Sequence, residues 1–353
     1  MTFPFNIYLL AVVISCVTAL AALPFWQKVC LRSGLVDDPG HRKIHAQPVP
    51  LAGGLAVMTG LLVPALLGAL SLWWQHGHGT SGGRSSEVGG LTSDLGPPTS
   101  DLRLLDANSM YLLRHGLGRR AVELVGIFLG AFGVLVVGWL DDKHELRPRA
   151  KFAGQLLIAG LVAATGTRIT LFVPSLLFSY LITILWILTV INAFNFMDNM
   201  DGLCAGLGAI GSWYFASIAA ADDQYLVALI AFLTFGALLG FLPYNFPRAR
   251  AFLGDAGSHL IGFLLAVLAI LPHFYSPRHP RRWAVLIPLF VLAVPLVDLV
   301  WVVYLRWRMG RPFYVGDTNH LSHRLVRRGF SRTLSVMLIW LAATVIGGLV
   351  CLV

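Results

Sequence analysis

Charged residues are scarce in this chain, at 12% of 353 positions against 57% hydrophobic. A soluble globular domain carries about 25% charged residues, so the composition excludes an ordinary water-soluble fold. The mean hydropathy of +0.74 agrees with a chain solvated by lipid. Cysteine is scarce too. Cys16, Cys30, Cys204 and Cys351 are scattered with no C-x-x-C pair, which excludes a disulfide framework and a cysteine zinc site. The apolar stretch 5–23 lacks a basic leader, so it reads as a retained membrane helix rather than a secretory signal. Acids are outnumbered, 17 Asp+Glu against 26 Lys+Arg, for a net charge of +9. In a soluble protein that balance would suggest nucleic acid. In a lipid-solvated chain basic loops set orientation instead, and no nucleic-acid partner is expected.

What the chain has in abundance is long apolar runs. They predict helices near 5–27, 52–74, 121–140, 152–167, 171–191, 202–220, 224–243, 258–273, 283–305 and 331–352, the fourth and eighth being short. The expected fold is therefore all-α: a polytopic membrane protein of about ten transmembrane helices in a single domain, 1–353. Ten spans put both termini on one side, and the loops fall into two alternating sets. One set, 28–51, 141–151, 192–201, 244–257 and 306–332, holds 17 of the 26 Lys+Arg. By the positive-inside rule that set is cytoplasmic. The loop 75–120 lies on the opposite face. Its Gly-, Ser-, Thr- and Pro-rich core cannot bury enough apolar surface to fold, so a disordered connector is expected near 75–118.

Five aspartates sit where apolar runs stop, all in the basic loop set: Asp141 and Asp142, Asp198 and Asp201, and Asp255. A carboxylate beside lipid is costly unless paired, hydrated or metal-bound, so their convergence reads as a site. In Gly138-Trp-Leu-Asp141-Asp142, followed by Lys151 and Gln155, adjacent acids point about 100° apart on a helix and suit different tasks. In Asn192-x-x-Asn195-x-x-Asp198-x-x-Asp201 a three-residue spacing lines hard oxygen ligands on one stripe, a pattern suited to Mg2+ with a phosphorylated substrate. Asn245 precedes Gly254-Asp255-Ala-Gly-Ser258, where glycines admit close approach to a metal-bound phosphate. His320-Leu-Ser322-His323-Arg324 suits a diphosphate or a lipid phosphate, and equally a basic anchor for anionic lipid. In the first basic loop Arg42, Lys43 and His45, framed by prolines and glycines, suit a nucleotide or serve as a topology anchor. Gly206-Leu-Gly208-Ala-Ile-Gly211 matches G-x-G-x-x-G but lies inside an apolar run with no strand before it. It reads as helix packing, not as a dinucleotide site. Asp298, inside the run 283–305, is left without a role.

Together these motifs resemble the polyprenyl-phosphate N-acetylhexosamine-1-phosphate transferases. The matching stretches run from Asp38 to His323 in that family's order. Two positions depart from the pattern. Asn199 stands where the family often has glycine, and Ser322 stands where its late motif usually has a middle histidine.

The resemblance implies transfer of a sugar-1-phosphate, most simply GlcNAc-1-phosphate, from a UDP-amino sugar to undecaprenyl or another polyprenyl phosphate, releasing UMP. It implies Mg2+, with Mn2+ as a substitute, a multi-pass location among the lipids of a bacterial cytoplasmic membrane, and compatibility with a homodimer. By the same resemblance Asp255 binds the metal, with Asn192, Asn195 and Asp198 or Asp201 nearby, and Asp141 or Asp142 activates or positions the lipid phosphate. Lys151, His320 and His323 hold phosphate oxygens, with Arg324, Asn245 and the Arg42–Lys43–His45 loop on the substrate side. Two readings compete: a cation-coupled transporter, whose acids would sit at mid-membrane on broken helices, and a catalytically inactive scaffold of the same fold.

Overall fold

The computed structural model describes residues 5–38, 47–79, 107–171, 173–272, 274, 282–312, 314 and 316–349. Helices dominate them, because in lipid each backbone N–H and C=O must be satisfied within its own segment. In chain order they are α1 (Phe5–Ser33), α2 (Gly53–Gly79), α3 (Ala107–Arg119), α4 (Ala121–His144), α5 (Pro148–Ala164), α6 (Leu176–Met197), α7 (Leu203–Ala221) and α8 (Tyr225–Asn245). Then follow α9 (Gly254–Leu268), a 3-10 turn at Arg282–Leu286, α10 (Ile287–Val291), α11 (Ala293–Arg308), α12 (Leu321–Arg327) and α13 (Arg332–Leu349). Among the described residues the strands are β1 (Val36–Asp37) and β2 (Val49–Pro50), paired antiparallel with Val36 opposite Pro50.

The protein is an all-α polytopic membrane fold. Among the described residues seven helices are long and apolar enough to cross a membrane, and an eighth span results if Trp283–Val291 and Ala293–Arg308, bent by 74°, are counted as one. The sequence suggests ten. The difference lies in α5, of 17 residues, and α9, of 15, which fall short of a full span. For α9 the reason is burial: every residue from Ala256 to Leu268 is buried, so its length answers to protein neighbours rather than to lipid thickness. It packs against α4, α6, α2 and α7. A β-carbon on Gly138 of α4 would lie 2.5 Å from the Ala256 backbone, so only glycine lets α4 approach this closely. The outer faces are apolar, with Leu157 at 74% and Leu177 at 70% exposed, as expected of surfaces wetted by acyl chains. The Gly206–Gly211 motif lies within α7, where Gly206 faces Trp340 and Gly208 faces Ile261; it is a packing surface.

The expected connector near 75–118 is helical at both described ends, since α2 runs to Gly79 and α3 begins at Ala107. Residues 80–106 lie outside the described residues.

Candidate active site

Helix ends gather at one end of the bundle. The last turn of α4 carries Asp141 and Asp142, the first turn of α5 carries Lys151, the end of α6 carries Asn195 and Asp198, and the first turn of α9 carries Asp255. Local sequence explains the turns. Glu145 closes α4 in the left-handed region at φ 47, and Pro148 opens α5 at a position where its missing N–H costs nothing. Gly254 turns the chain into α9 at φ 66, with Asp142 pressed so close that a β-carbon there would lie 2.6 Å from its Oδ2.

Lys151 Nζ joins two acids, Asp255 Oδ2 at 2.5 Å and Asp141 Oδ2 at 2.8 Å. Asn195 Nδ2 donates to Asp255 Oδ1 at 2.6 Å and to Ser258 Oγ at 3.0 Å. The adjacent acids at the end of α4 divide their work. Asp142 accepts the backbone N–H groups of Asp255 and Ala256 at 2.7 and 3.0 Å. Asp141 accepts the Leu146 N–H at 2.8 Å and pairs with Lys151. Burial works against the Lys151 charge, but Asp255 and Asp141 outweigh it and hold the ammonium above the ordinary lysine range. Asp198 makes no ion pair among the described residues. Burial, then the carboxylates of Asp255, Asp142, Asp201 and Asp37, push it well above the usual carboxylate range.

A second polar layer lies one turn further from that end. Gln155 is four residues beyond Lys151, His259 four beyond Asp255, and Asn192 three before Asn195, so each lies one turn from its counterpart. Gln155 Nε2 is 3.3 Å from His259 Nε2, and Asn192 Nδ2 donates to Gln155 Oε1 at 2.9 Å. Gln155 and His259 are fully enclosed, and His259 Nδ1 is buried without a hydrogen-bond partner among the described residues. His259 was not among the sequence expectations, although its i, i+4 relation to Asp255 was readable.

The late histidines dock on the same end. His320 Nδ1 lies 2.7 Å from Asp298 Oδ2. A carboxylate only accepts, so Nδ1 carries the proton. Asp298 Oδ1 takes the Leu321 N–H at 2.6 Å, which gives the unassigned acid of 283–305 its place. The Phe196 ring meets His320 edge-on at 5.5 Å and carries the Arg306 guanidinium at 4.7 Å. Burial, then His320, Arg332 and Arg327, hold His323 below the ordinary imidazole range.

Other expected site residues have structural contacts. Asp201 Oδ2 accepts the Ala249 N–H at 3.0 Å. The Asn245 amide is buried and bridges the Gly202 N–H and the Ala251 carbonyl at 2.9 and 3.0 Å. Arg324 lies over the Trp301 ring at 5.2 Å. Arg42, Lys43 and His45 lie outside the described residues. Among the described residues no three His, Cys, Asp or Glu side chains are grouped to hold a metal by themselves. Mg2+ does not need three, because it is commonly bound through one or two carboxylates, substrate phosphates and water. The mutual repulsion felt at Asp198 is the chemistry such a cation would relieve.

Acids, amides, imidazoles and a lysine gather at one end of a lipid-facing helical bundle, and the proteins this chain is similar to give its class, an integral-membrane transferase. The chain belongs to glycosyl transferase family 4, whose model matches residues 124–273. It is 29% identical over 339 residues to a "Probable undecaprenyl-phosphate N-acetylglucosaminyl 1-phosphate transferase" of Bacillus subtilis, covering 94% of this chain and 80% of the relative. It is 31% identical over 345 residues to a "Decaprenyl-phosphate N-acetylglucosaminephosphotransferase" of Mycolicibacterium smegmatis, covering 90% and 75%. With the "Undecaprenyl-phosphate alpha-N-acetylglucosaminyl 1-phosphate transferase" of Escherichia coli K12 it shares 27% identity over 342 residues, covering 92% and 78%.

Proposed function

We propose that this protein transfers GlcNAc-1-phosphate from a UDP-sugar to undecaprenyl or a related polyprenyl phosphate, releasing UMP and starting a cell-envelope polysaccharide. The names of the relatives support the sugar phosphate and the acceptor. The observation that carries the reading is the Lys151–Asp255–Asn195 contact set at one end of the lipid-facing bundle. Because the loop set read from the sequence that carries these aspartates holds 17 of the 26 Lys+Arg, we place the site at the cytoplasmic face of a bacterial inner membrane.

In this reading an oxygen of the lipid phosphate attacks the sugar-bearing phosphorus of the donor. The bond from that phosphorus to the bridging oxygen breaks, and UMP leaves with the electron pair. A phosphate monoester has its second pKa near 6, so the nucleophile is largely ionised at neutral pH and needs orientation more than deprotonation. Asp141 and Lys151 supply that orientation, with Lys151 reaching phosphate oxygens while its acid partners hold it in place. His320, fixed by Asp298, would hold phosphate oxygens of the donor, and His323 lies beside it with ring centroids 6.4 Å apart. Asp142 fixes Asp255 through the backbone. Asp255, Asp198 and the Asn195 amide oxygen would hold Mg2+, or Mn2+ in its place, while Asn192 braces Gln155 one turn away. When bound, the cation offsets diphosphate charge and polarises the phosphorus under attack.

The test incubates membranes containing the protein with labelled UDP-sugars, polyprenyl phosphate and Mg2+. Labelled lipid-linked sugar from UDP-GlcNAc is expected. A panel in which no donor labels lipid would refute the proposal.

A further inference from the structure

Asn199 and Ser322 are 123 residues apart in sequence, yet Ser322 Oγ donates to Asn199 Oδ1 at 2.6 Å. These are the two positions at which the chain departs from the motifs it resembles, and here the departures touch. Ser322 is 1% exposed, so water does not compete for the bond and its loss would leave a buried polar group unmatched. Asn199 is held at its other end, where Nδ2 donates to the Phe196 carbonyl at 2.5 Å. That carbonyl lies in the last turn of α6, where no intrahelical N–H remains to satisfy it. One amide thus closes a helix end and receives α12.

The neighbours give this bond its consequence. Asn199 sits between Asp198 and Asp201, while Ser322 sits between His320 and His323. The aromatic edge between Phe196 and His320 also joins these two segments, but such a contact tolerates sliding where a short hydrogen bond does not. The helix α12 has only seven residues, too few to hold its orientation without outside contacts.

We infer that the Asn199–Ser322 bond is a clasp fixing the register between the acidic turn 198–201 and the imidazoles at 320 and 323. Both are positioning residues: they set where the carboxylates and imidazoles meet the diphosphate of a nucleotide-sugar and touch no reacting atom. The inference rests on the transferase reading proposed above.

The test uses the full chain with Asn199→Ala, Ser322→Ala, the double variant and Ser322→Thr, measuring kcat, KM for each substrate and melting temperature. Each alanine variant is expected to lower the melting temperature, because it leaves one polar group of the pair unmatched, and also to lower kcat about tenfold at temperatures where the variant is fully folded, since a misplacement near 1 Å can cost more than this. The double variant should be no slower than the worse single one, and Ser322→Thr, which keeps the hydroxyl, should retain most activity. Losses that multiply in the double variant, or single variants at wild-type kcat, would overturn the clasp. Hydrogen exchange at the amides of 321–327 separates this failure from that of the transferase reading. A wild type inactive on every donor sinks the reading alone; faster exchange in either alanine variant still supports the clasp, and unchanged exchange rejects it.

Discussion

Asp142 caps the helix that carries Asp255: its two carboxylate oxygens accept the backbone N–H groups of Asp255 and Ala256 at 2.7 and 3.0 Å. The negative charge sits where the partial positive charge of the α9 N-terminus is greatest. The adjacent acid, Asp141, faces Lys151 instead. Two neighbouring aspartates thus make different contacts, one holding the N-terminus of α9 and the other pairing with Lys151.

Asp142→Ala should therefore harm stability and turnover together. Loss of a helix N-cap costs about 0.5–2 kcal/mol, and Asp255 moves with the uncapped turn. Asp142→Asn keeps one acceptor oxygen and should lose less of both. Thermal melting in detergent alongside steady-state turnover checks this; an Asp142→Ala protein with wild-type melting and reduced turnover would contradict the cap.

Lys151→Ala leaves Asp141 and Asp255 facing each other with no cation between them. We expect kcat to fall about 100-fold, the scale of losing one preorganised charge-stabilising group. Lys151→Arg should not restore it, because a planar guanidinium cannot reproduce a compact ammonium between two acids. Initial rates at saturating substrate decide the matter, and an arginine variant near wild type would refute the point-charge role.

Gln155→Ala removes one of the two acceptors of Asn192, which also donates to the Leu188 carbonyl at 2.8 Å, and takes away the neighbour of the enclosed His259. Each buried polar group left unmatched costs about 1–3 kcal/mol. A clear fall in melting temperature is expected, with a smaller effect on turnover than at Lys151. A melting temperature equal to wild type would show that the second layer does not brace the first.

His323 gives a pH dependence with a definite sign. Its folded pKa lies below the unfolded value of about 6.5, so between the two the unfolded chain binds more protons. Its contribution to stability is therefore present above about pH 6.5 and is lost as pH falls toward the folded pKa. His323→Gln should flatten the acid side of the melting-temperature profile below pH 6.5. An unchanged slope would rule out His323 as its source.

Much of this site was legible because lipid makes polar residues conspicuous: Asp141, Asp198 and Asp255 stood out by cost at the ends of apolar runs. The convergence of Lys151, Asn195 and Asp255 follows from that logic. The division between Asp141 and Asp142 was not legible, since adjacent residues at a helix end differ only in what the tertiary structure brings to them. His259 was hidden because a histidine in an apolar run looks like any core residue until Gln155 is placed against it. The Asp298–His320 pair and the Asn199–Ser322 bond depend on contacts between distant segments, which no local pattern carries. The expected span count exceeded the seven or eight described helices long enough to cross because hydropathy marks apolar runs and not their helical length: α5 stops at 17 residues, and α9, at 15, is buried in protein rather than in lipid.

The central claim is that the cluster around Asp255 moves a sugar phosphate onto a lipid phosphate. Its most direct test is single-turnover transfer by the purified protein from UDP-GlcNAc labelled on both phosphates and the sugar, compared with Asp255→Asn. The account predicts equimolar UMP and lipid diphosphate sugar carrying the sugar-bearing phosphate, with at least a 100-fold slower reaction in the variant. Release of UDP in place of UMP, or an Asp255→Asn protein as fast as wild type, would contradict it.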